Sequence, residues 1–186
     1  MRIISGYLKG RKLIEPKNKN TRPLKDLTKE SIFNILEHSN LIKTKINESI
    51  VLDLFAGSGS FGLECISRGS NKVTFVENYP DATDVLKKNI DKFNCKDKTI
   101  IINENIFSNS VEKKLIHKKF DIIFLDPPYK IENFITILNN IINIKILHKK
   151  GIIIIHRSKK TQESLPKTFK TIQVKTYGIS KIIFGY

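Results

Sequence analysis

The apolar run Phe120-Asp121-Ile122-Ile123-Phe124-Leu125 leads into Asp126-Pro127-Pro128-Tyr129, which places an acid, a stiff turn and an aromatic ring at a strand terminus. That grouping suits methyl transfer to the exocyclic amine of a nucleobase. Such an amine is a poor nucleophile because its lone pair is delocalised into the ring. The Asp126 carboxylate and the Pro127 carbonyl can each accept one N–H, turning the lone pair out of conjugation, while Tyr129 stacks on the base. Proline fixes φ at about −65° and carries no N–H, so Pro127 and Pro128 hold the loop stiffly. The plainer reading is an Asp-Pro-Pro turn after a strand, with a tyrosine covering the core.

Upstream, Val51-Leu52-Asp53-Leu54-Phe55-Ala56-Gly57-Ser58-Gly59-Ser60-Phe61-Gly62 reads as a short buried strand, a Gly-x-Gly-x-x-Gly turn and a helix running to about Arg68 and stopping at Gly69. The glycines allow backbone angles that other residues resist and let a ligand approach closely. Gly62 lets the helix lie near the strand. The next strand, Lys72-Val73-Thr74-Phe75-Val76, ends in Glu77, a carboxylate able to hold both ribose hydroxyls of an adenosine ligand. These features fit a dinucleotide as well as S-adenosylmethionine. Asp53 and the later Asp126-Pro127-Pro128-Tyr129 stretch separate the two, and an acid beside the glycines attracts the ammonium of an amino-acid end and repels a pyrophosphate. Asp53 can equally serve as a strand-end acid binding loop N–H groups, and the two roles are compatible.

The chain resembles the bacterial 16S ribosomal RNA guanine-N(2) methyltransferases of the RsmD type, which depend on S-adenosylmethionine. The resemblance spans nearly the whole length. Besides the two motifs above it rests on Met1-Arg2-Ile3-Ile4-Ser5-Gly6, Lys9-Gly10-Arg11-Lys12-Leu13, Thr21-Arg22-Pro23, Asp26, Lys29-Glu30 and Phe33-Asn34-Ile35-Leu36. It implies a seven-stranded methyltransferase sheet, mostly parallel with one antiparallel strand, and one modified guanine in small-subunit RNA. It further implies that Asp53, Phe55, Gly57 and Gly59 surround the methionine half of S-adenosylmethionine and Glu77 the ribose. Asp126, Pro127, Pro128 and Tyr129 would form the catalytic loop. Asn105, after the third strand, is the candidate for the adenine amino group, although an asparagine there also suits a turn. Two departures stand out: His156-Arg157 after the fifth strand, where the family tends to carry an acid, and Tyr177-Gly178-Ile179-Ser180, which lacks a common acid after its glycine. Both are expected to affect the edges of the substrate pocket and to leave the cofactor and catalytic motifs untouched.

Elements must hold these residues in place. From about residue 50 strands alternate with helices, the strands near 50–54, 72–76, 99–102, 120–125 and 151–155. This predicts an α/β, doubly wound, Rossmann-like sheet with ligands beyond the carboxyl ends of its strands. Asp53, Glu77, Asn105 and Asp126 all fall at such ends. Residues 1–48 read as a small basic N-terminal extension, a β-hairpin from residues 2–5 and 11–15 followed by a helix that Asp26 or Thr28 caps and that runs to about His38. Residues 49–186 read as the methyltransferase domain.

Charge is polarised along the chain. Of the net +15, residues 1–30 and 156–186 each carry +6, leaving +3 for the 125 residues between. A near-neutral core with basic ends fits a nucleic-acid enzyme, since phosphate contacts give affinity without reading sequence. Arg2, Lys9, Arg11 and Arg22 are the candidate phosphate contacts. An AT-rich genome, suggested by 28 Lys against 5 Arg, can inflate the total without concentrating it at both ends.

The remaining features are bland. Cys65 and Cys95 lack metal-ligand spacing, so no metal site is expected, and the four histidines read as structural or solvated. No apolar segment is long enough to span a bilayer and no secretory signal is seen, so a cytoplasmic enzyme is expected, and the family resemblance implies a monomer. An adenine-N(6) DNA or RNA methyltransferase is the nearest alternative, because the same tetrapeptide serves a similar amine. A noncatalytic RNA-binding or assembly factor is the third reading, and a dehydrogenase the weakest.

Overall fold

Apolar residues alternate between two clusters along each central strand, so the sheet is buried on both faces. In β4 (Phe120–Leu125), Ile122 and Phe124 enter one cluster and Ile123 and Leu125 the other. In β1 (Ile50–Leu54), Val51 joins the first, and Leu52 and Leu54 the second. This is the period-two signature of a strand covered from both sides. The computed structural model describes residues 1–16, 24–131, 133–161 and 164–186.

Helices α1 (Asp26–His38), α2 (Ser60–Ser67) and α3 (Pro80–Lys92) supply the first cluster with Ile32, Phe33, Phe61, Leu63, Leu86 and Ile90. Helices α4 (Asn109–Leu115) and α5 (Phe134–Asn143) supply the second with Val111, Leu115, Phe134, Ile137, Leu138 and Ile141. Local sequence sets several boundaries. Pro80 opens α3, where a missing N–H costs nothing, and the Ser108 hydroxyl caps α4 by accepting the Val111 N–H.

With β2 (Lys72–Val76), β3 (Thr99–Ile102), β5 (Leu147–Ser158), β6 (Thr171–Tyr177) and β7 (Ser180–Gly185), the strand order is β3-β2-β1-β4-β5-β7-β6. β7 runs antiparallel to both neighbours and the other pairings are parallel. The expected doubly wound seven-stranded sheet is what forms. Strand order reverses between β1 and β4, so a crevice opens beyond their carboxyl ends.

Three local expectations are corrected. β5 continues through His156, Arg157 and Ser158, because the antiparallel partner β7 pairs with it as far as Ser158 opposite Ser180. The N-terminal hairpin contracts to one bridge, Arg2 with Lys12. Backbone bonds from Ile3 to Arg11, Gly10 to Ile3 and Leu13 to Met1 hold that end together, and beyond it helix side chains take over: Glu64 of α2 accepts the Ile4 and Ser5 N–H groups, and Asn89 of α3 accepts from Ile14 and donates to its carbonyl. Neither Asp26 nor Thr28 caps α1. Lys25 occupies the cap position without a side-chain bond, and Asp26, already in the first turn, accepts the Arg2 N–H at 3.4 Å.

The N-terminal segment shares the first apolar cluster with the sheet through Ile3, Leu8, Leu13 and Leu24. The fully buried Lys29 reinforces this. Its ammonium donates to the Arg2 carbonyl at 2.7 Å and to Ser60 Oγ at 3.1 Å, and lies 3.6 Å from the buried Glu64 carboxylate. Burial pushes the Lys29 pKa down, against the pull of Glu64 and Asp26.

Candidate active site

Strand register assembles the site. Leu54 is paired with Val76 on one side and Leu125 on the other, so the next residues, Phe55, Glu77 and Asp126, emerge together where the ladder ends. Leu125 is in turn paired with Ile155, which sets His156 beside Asp126. A cavity of about 520 Å³ lies over these termini. Asp53 and residues 55–58 form one wall, Glu77 to Tyr79 another, and Asp126 to Ile131 a third. Met1, Pro16 and Leu24 from the N-terminal segment complete the enclosure.

The glycine turn is built as its residue types require. Gly57 and Gly59 both have positive φ, and a side chain on Gly57 would project into open space, so that backbone is bare toward the cavity. Gly62 serves the other purpose: a Cβ there would stand 2.3 Å from the Phe75 ring and 2.7 Å from Val73 Cγ1, so α2 reaches β2 only without one. Phe55 also has a positive φ, 62°, an uncommon backbone for an aromatic residue and one that concentrates at ligand sites.

Asp53 is buried and accepts the Gly62 N–H at 3.0 Å. Burial raises its carboxyl well above the usual carboxylate range; the Gly62 bond opposes that, and the Asp126 and Glu77 charges add to it. The loop-binding role of Asp53 is therefore present, and the residue still faces the cavity. Glu77 ties two loops together, accepting from Gly57 at 2.8 Å and from Asn78 and Tyr79 at 3.0 and 2.8 Å.

In the catalytic-loop candidate, Asp126 Oδ1 lies 2.8 Å from His156 Nδ1, and the Asp126 N–H makes a long 3.4 Å bond to the Leu54 carbonyl. Arg157 donates to the Pro128 carbonyl at 3.1 Å and the Ile131 carbonyl at 3.4 Å, with its guanidinium 5.0 Å from the Phe134 ring centre. The Pro128 carbonyl also accepts the Ile131 N–H at 3.0 Å. Tyr129 OH lies 3.4 Å from His156 Nε2, the two rings meeting edge to face. His156 and Arg157 are both 1% exposed. They brace the Asp126–Tyr129 loop through these contacts, so the expectation that this departure leaves the motifs untouched is corrected. The extension of β5 past Ile155 is the physical reason.

The structure thus brings Asp53, Phe55, Gly57, Glu77, Asp126, Pro127, Pro128 and Tyr129 to one cavity, with Gly59 behind it capping α2. Asn105 sits apart from the lining, exposed, with its side chain accepting the Phe107 N–H at 3.0 Å in a turn. Arg2, Lys9 and Arg11 are exposed, and Arg2 adjoins the cavity-lining Met1. The Arg11 guanidinium lies 5.3 Å from the Phe93 ring centre, and Tyr7 bonds Ser67, so this loop reaches the far ends of α3 and α2. Arg22 lies outside the described residues. Sequence reasoning missed Met1, Pro16, Leu24 and Tyr79 in the wall. Tyr79 carried a usable signal, two residues past Glu77 and just ahead of Pro80, whereas the others depend on how the N-terminal segment docks.

Comparison with known proteins gives the family. The family described as conserved hypothetical protein 95 matches residues 1–186. A ribosomal RNA small subunit methyltransferase D from Haemophilus influenzae is 32% identical, the match covering 96% of this chain and 90% of that protein. The chain belongs to the RsmD-type methyltransferase family. Another member, the ribosomal RNA small subunit methyltransferase D of Buchnera aphidicola from Acyrthosiphon pisum, is 37% identical over 90% of this chain and 83% of its own. A solved Haemophilus influenzae structure, provisionally titled a methylase, superposes with a TM-score of 0.74 at 29% identity, covering 99% of this chain and 96% of that one. Among the described residues no helix is long and apolar enough to cross a membrane, and no cluster of His, Cys, Asp and Glu could hold a metal ion.

Proposed function

We propose that this methyltransferase moves a methyl group from S-adenosylmethionine to the exocyclic 2-amino group of a guanine in 16S ribosomal RNA, as naked RNA or in a small-subunit particle. The observation that carries the reading is the meeting of the Asp53–Gly57–Glu77 wall with the Asp126–Tyr129 loop over a single cavity. The residues fit the donor: the bare Gly57 backbone leaves room for close approach, Asp53 offers a buried carboxylate to an ammonium, and Glu77 offers one to a ribose. When bound, S-adenosylmethionine supplies an electrophilic methyl on a positively charged sulfur.

The chain's own residues then position and polarise the acceptor. Asp126 and the Pro127 carbonyl accept the two amine N–H groups and stabilise the positive charge that grows on nitrogen during in-line attack. Arg157 and Ile131 occupy the Pro128 carbonyl, so the Pro127 carbonyl is the one presented to the base. Tyr129 stacks on a purine taken out of its helix or presented in a loop. Arg2, Lys9 and Arg11, together with Arg22, hold phosphates around it, and Asn105 reaches the adenine of the donor on local rearrangement of its turn.

Incubation with isotopically labelled S-adenosylmethionine and small-subunit particles lacking the modification, followed by nucleoside mass spectrometry, tests this reading. N(2)-methylguanosine is the expected product, and Asp126→Ala should lower the rate about 100- to 1,000-fold with donor binding retained. Methyladenosine would move the assignment to an adenine-N(6) enzyme.

A further inference from the structure

The two departures from the family pattern meet in one hydrogen bond. His156 Nε2 lies 2.9 Å from Ser180 Oγ, while its Nδ1 lies 2.8 Å from Asp126 Oδ1. Three aligned groups, Ser180, His156 and Asp126, therefore have the spacing of a hydrolytic triad with its direction reversed. In a hydrolase the serine meets the substrate. Here Ser180 is buried outside the cavity lining, and Asp126 is the member that lines it.

We infer that His156 is a positioning residue that fixes the rotation of the Asp126 carboxylate, so that its second oxygen is the acceptor for the target amine. This rests on the proposed methyl transfer. A carboxylate accepts only, so Nδ1 must carry the proton of the 2.8 Å bond, and partners on both ring nitrogens fix the ring's orientation. Ser180, held by its pairing opposite Ser158, anchors the other nitrogen. Tyr129 OH, 3.4 Å from the same nitrogen, links the stacking ring to the hinge. An aspartate at the end of a proline loop has a free χ1 and χ2 unless something holds them. The imidazole is what holds them here, much as outer partners orient the ligands of a metal.

Asparagine and glutamine separate this role from packing. In His156→Asn the amide nitrogen falls near the place of Nδ1 and can still donate to Asp126. In His156→Gln the amide reaches the place of Nε2, keeping the Ser180 contact and leaving Asp126 unheld. Single-turnover methyl transfer on the unmodified particle, with donor Kd from calorimetry, is the test. His156→Gln should slow transfer ~10- to 100-fold with Kd for the donor within about twofold, and His156→Asn should restore most of the rate. Equal rates for the two variants, a faster glutamine variant, or a rate loss that tracks lost donor binding would overturn the inference. If the parent protein itself transfers no methyl, the proposed reaction fails and the positioning role with it; a difference confined to the variants tests the positioning role alone.

Discussion

Asp53 combines a stability cost with a proposed binding role, and that combination is testable at a single residue. Its folded-state pKa lies above the unfolded one, so folding takes up a proton in the window between them. The stability contribution of this group is therefore most favourable below the ordinary carboxylate range and is lost as pH climbs through the raised value. Asp53→Asn keeps an oxygen for the Gly62 N–H and cannot ionise. Thermal unfolding of the free protein should show the variant matching the parent at acid pH and exceeding it by a few degrees at higher pH. A donor ammonium beside Asp53 reverses the penalty, so donor affinity of the parent should tighten as pH rises through the same window. Calorimetry on Asp53→Asn should show on the order of 30-fold weaker binding with that dependence flattened. Residues of this kind were legible because their chemistry is local: an acid, a glycine turn and an Asp-Pro-Pro-Tyr stretch each imply a role before any neighbour is known. His156 was not legible. Its role depends on the register that aligns Ile155 with Leu125, and a lone histidine after an isoleucine run carries no mark of that pairing.

At the scale of elements, the contact between α2 and β2 sets how the glycine turn faces the cavity. Gly62→Ala gains under about 1 kcal/mol of helix propensity. The added methyl would stand 2.3 Å from a fully buried phenylalanine ring, and overpacking of that sort costs about 1–3 kcal/mol, so the clash wins. Denaturant unfolding should show a net loss of stability, accompanied by weaker donor binding as the turn shifts. The five parallel strands could be read from the sequence because each is a nearly continuous apolar run, including the half-buried edge strand β3. β6 and β7 could be inferred only through family resemblance. β6 is an edge strand whose residues are largely exposed, so its composition lacks the apolar run that marks β1 or β4. The N-terminal hairpin was read too long because a two-strand pattern does not reveal that Glu64 and Asn89 take its backbone groups.

For the whole molecule, the proposed function divides two tasks between parts of the fold. The sheet termini form the candidate reaction cavity, and the N-terminal segment runs from its rim at Met1 and Arg2 to the distant ends of α2 and α3 at Lys9 and Arg11. Neutralising Arg2, Lys9 and Arg11 together should weaken RNA binding and flatten the dependence of log affinity on log salt by about 2, with donor affinity unchanged. A change in donor affinity would mean that these residues support the cavity instead. The proposed function requires that the cavity between the glycine turn and the Asp126 loop be the place of methyl transfer. A crystal structure with a nonreactive donor analogue measures this directly. The amino-acid end is expected beside Asp53 and Gly57, the ribose at Glu77 and the position of the transferable methyl facing Asp126 and the Pro127 carbonyl. An analogue bound elsewhere, or one whose methyl position points away from the Asp126 loop, would contradict it.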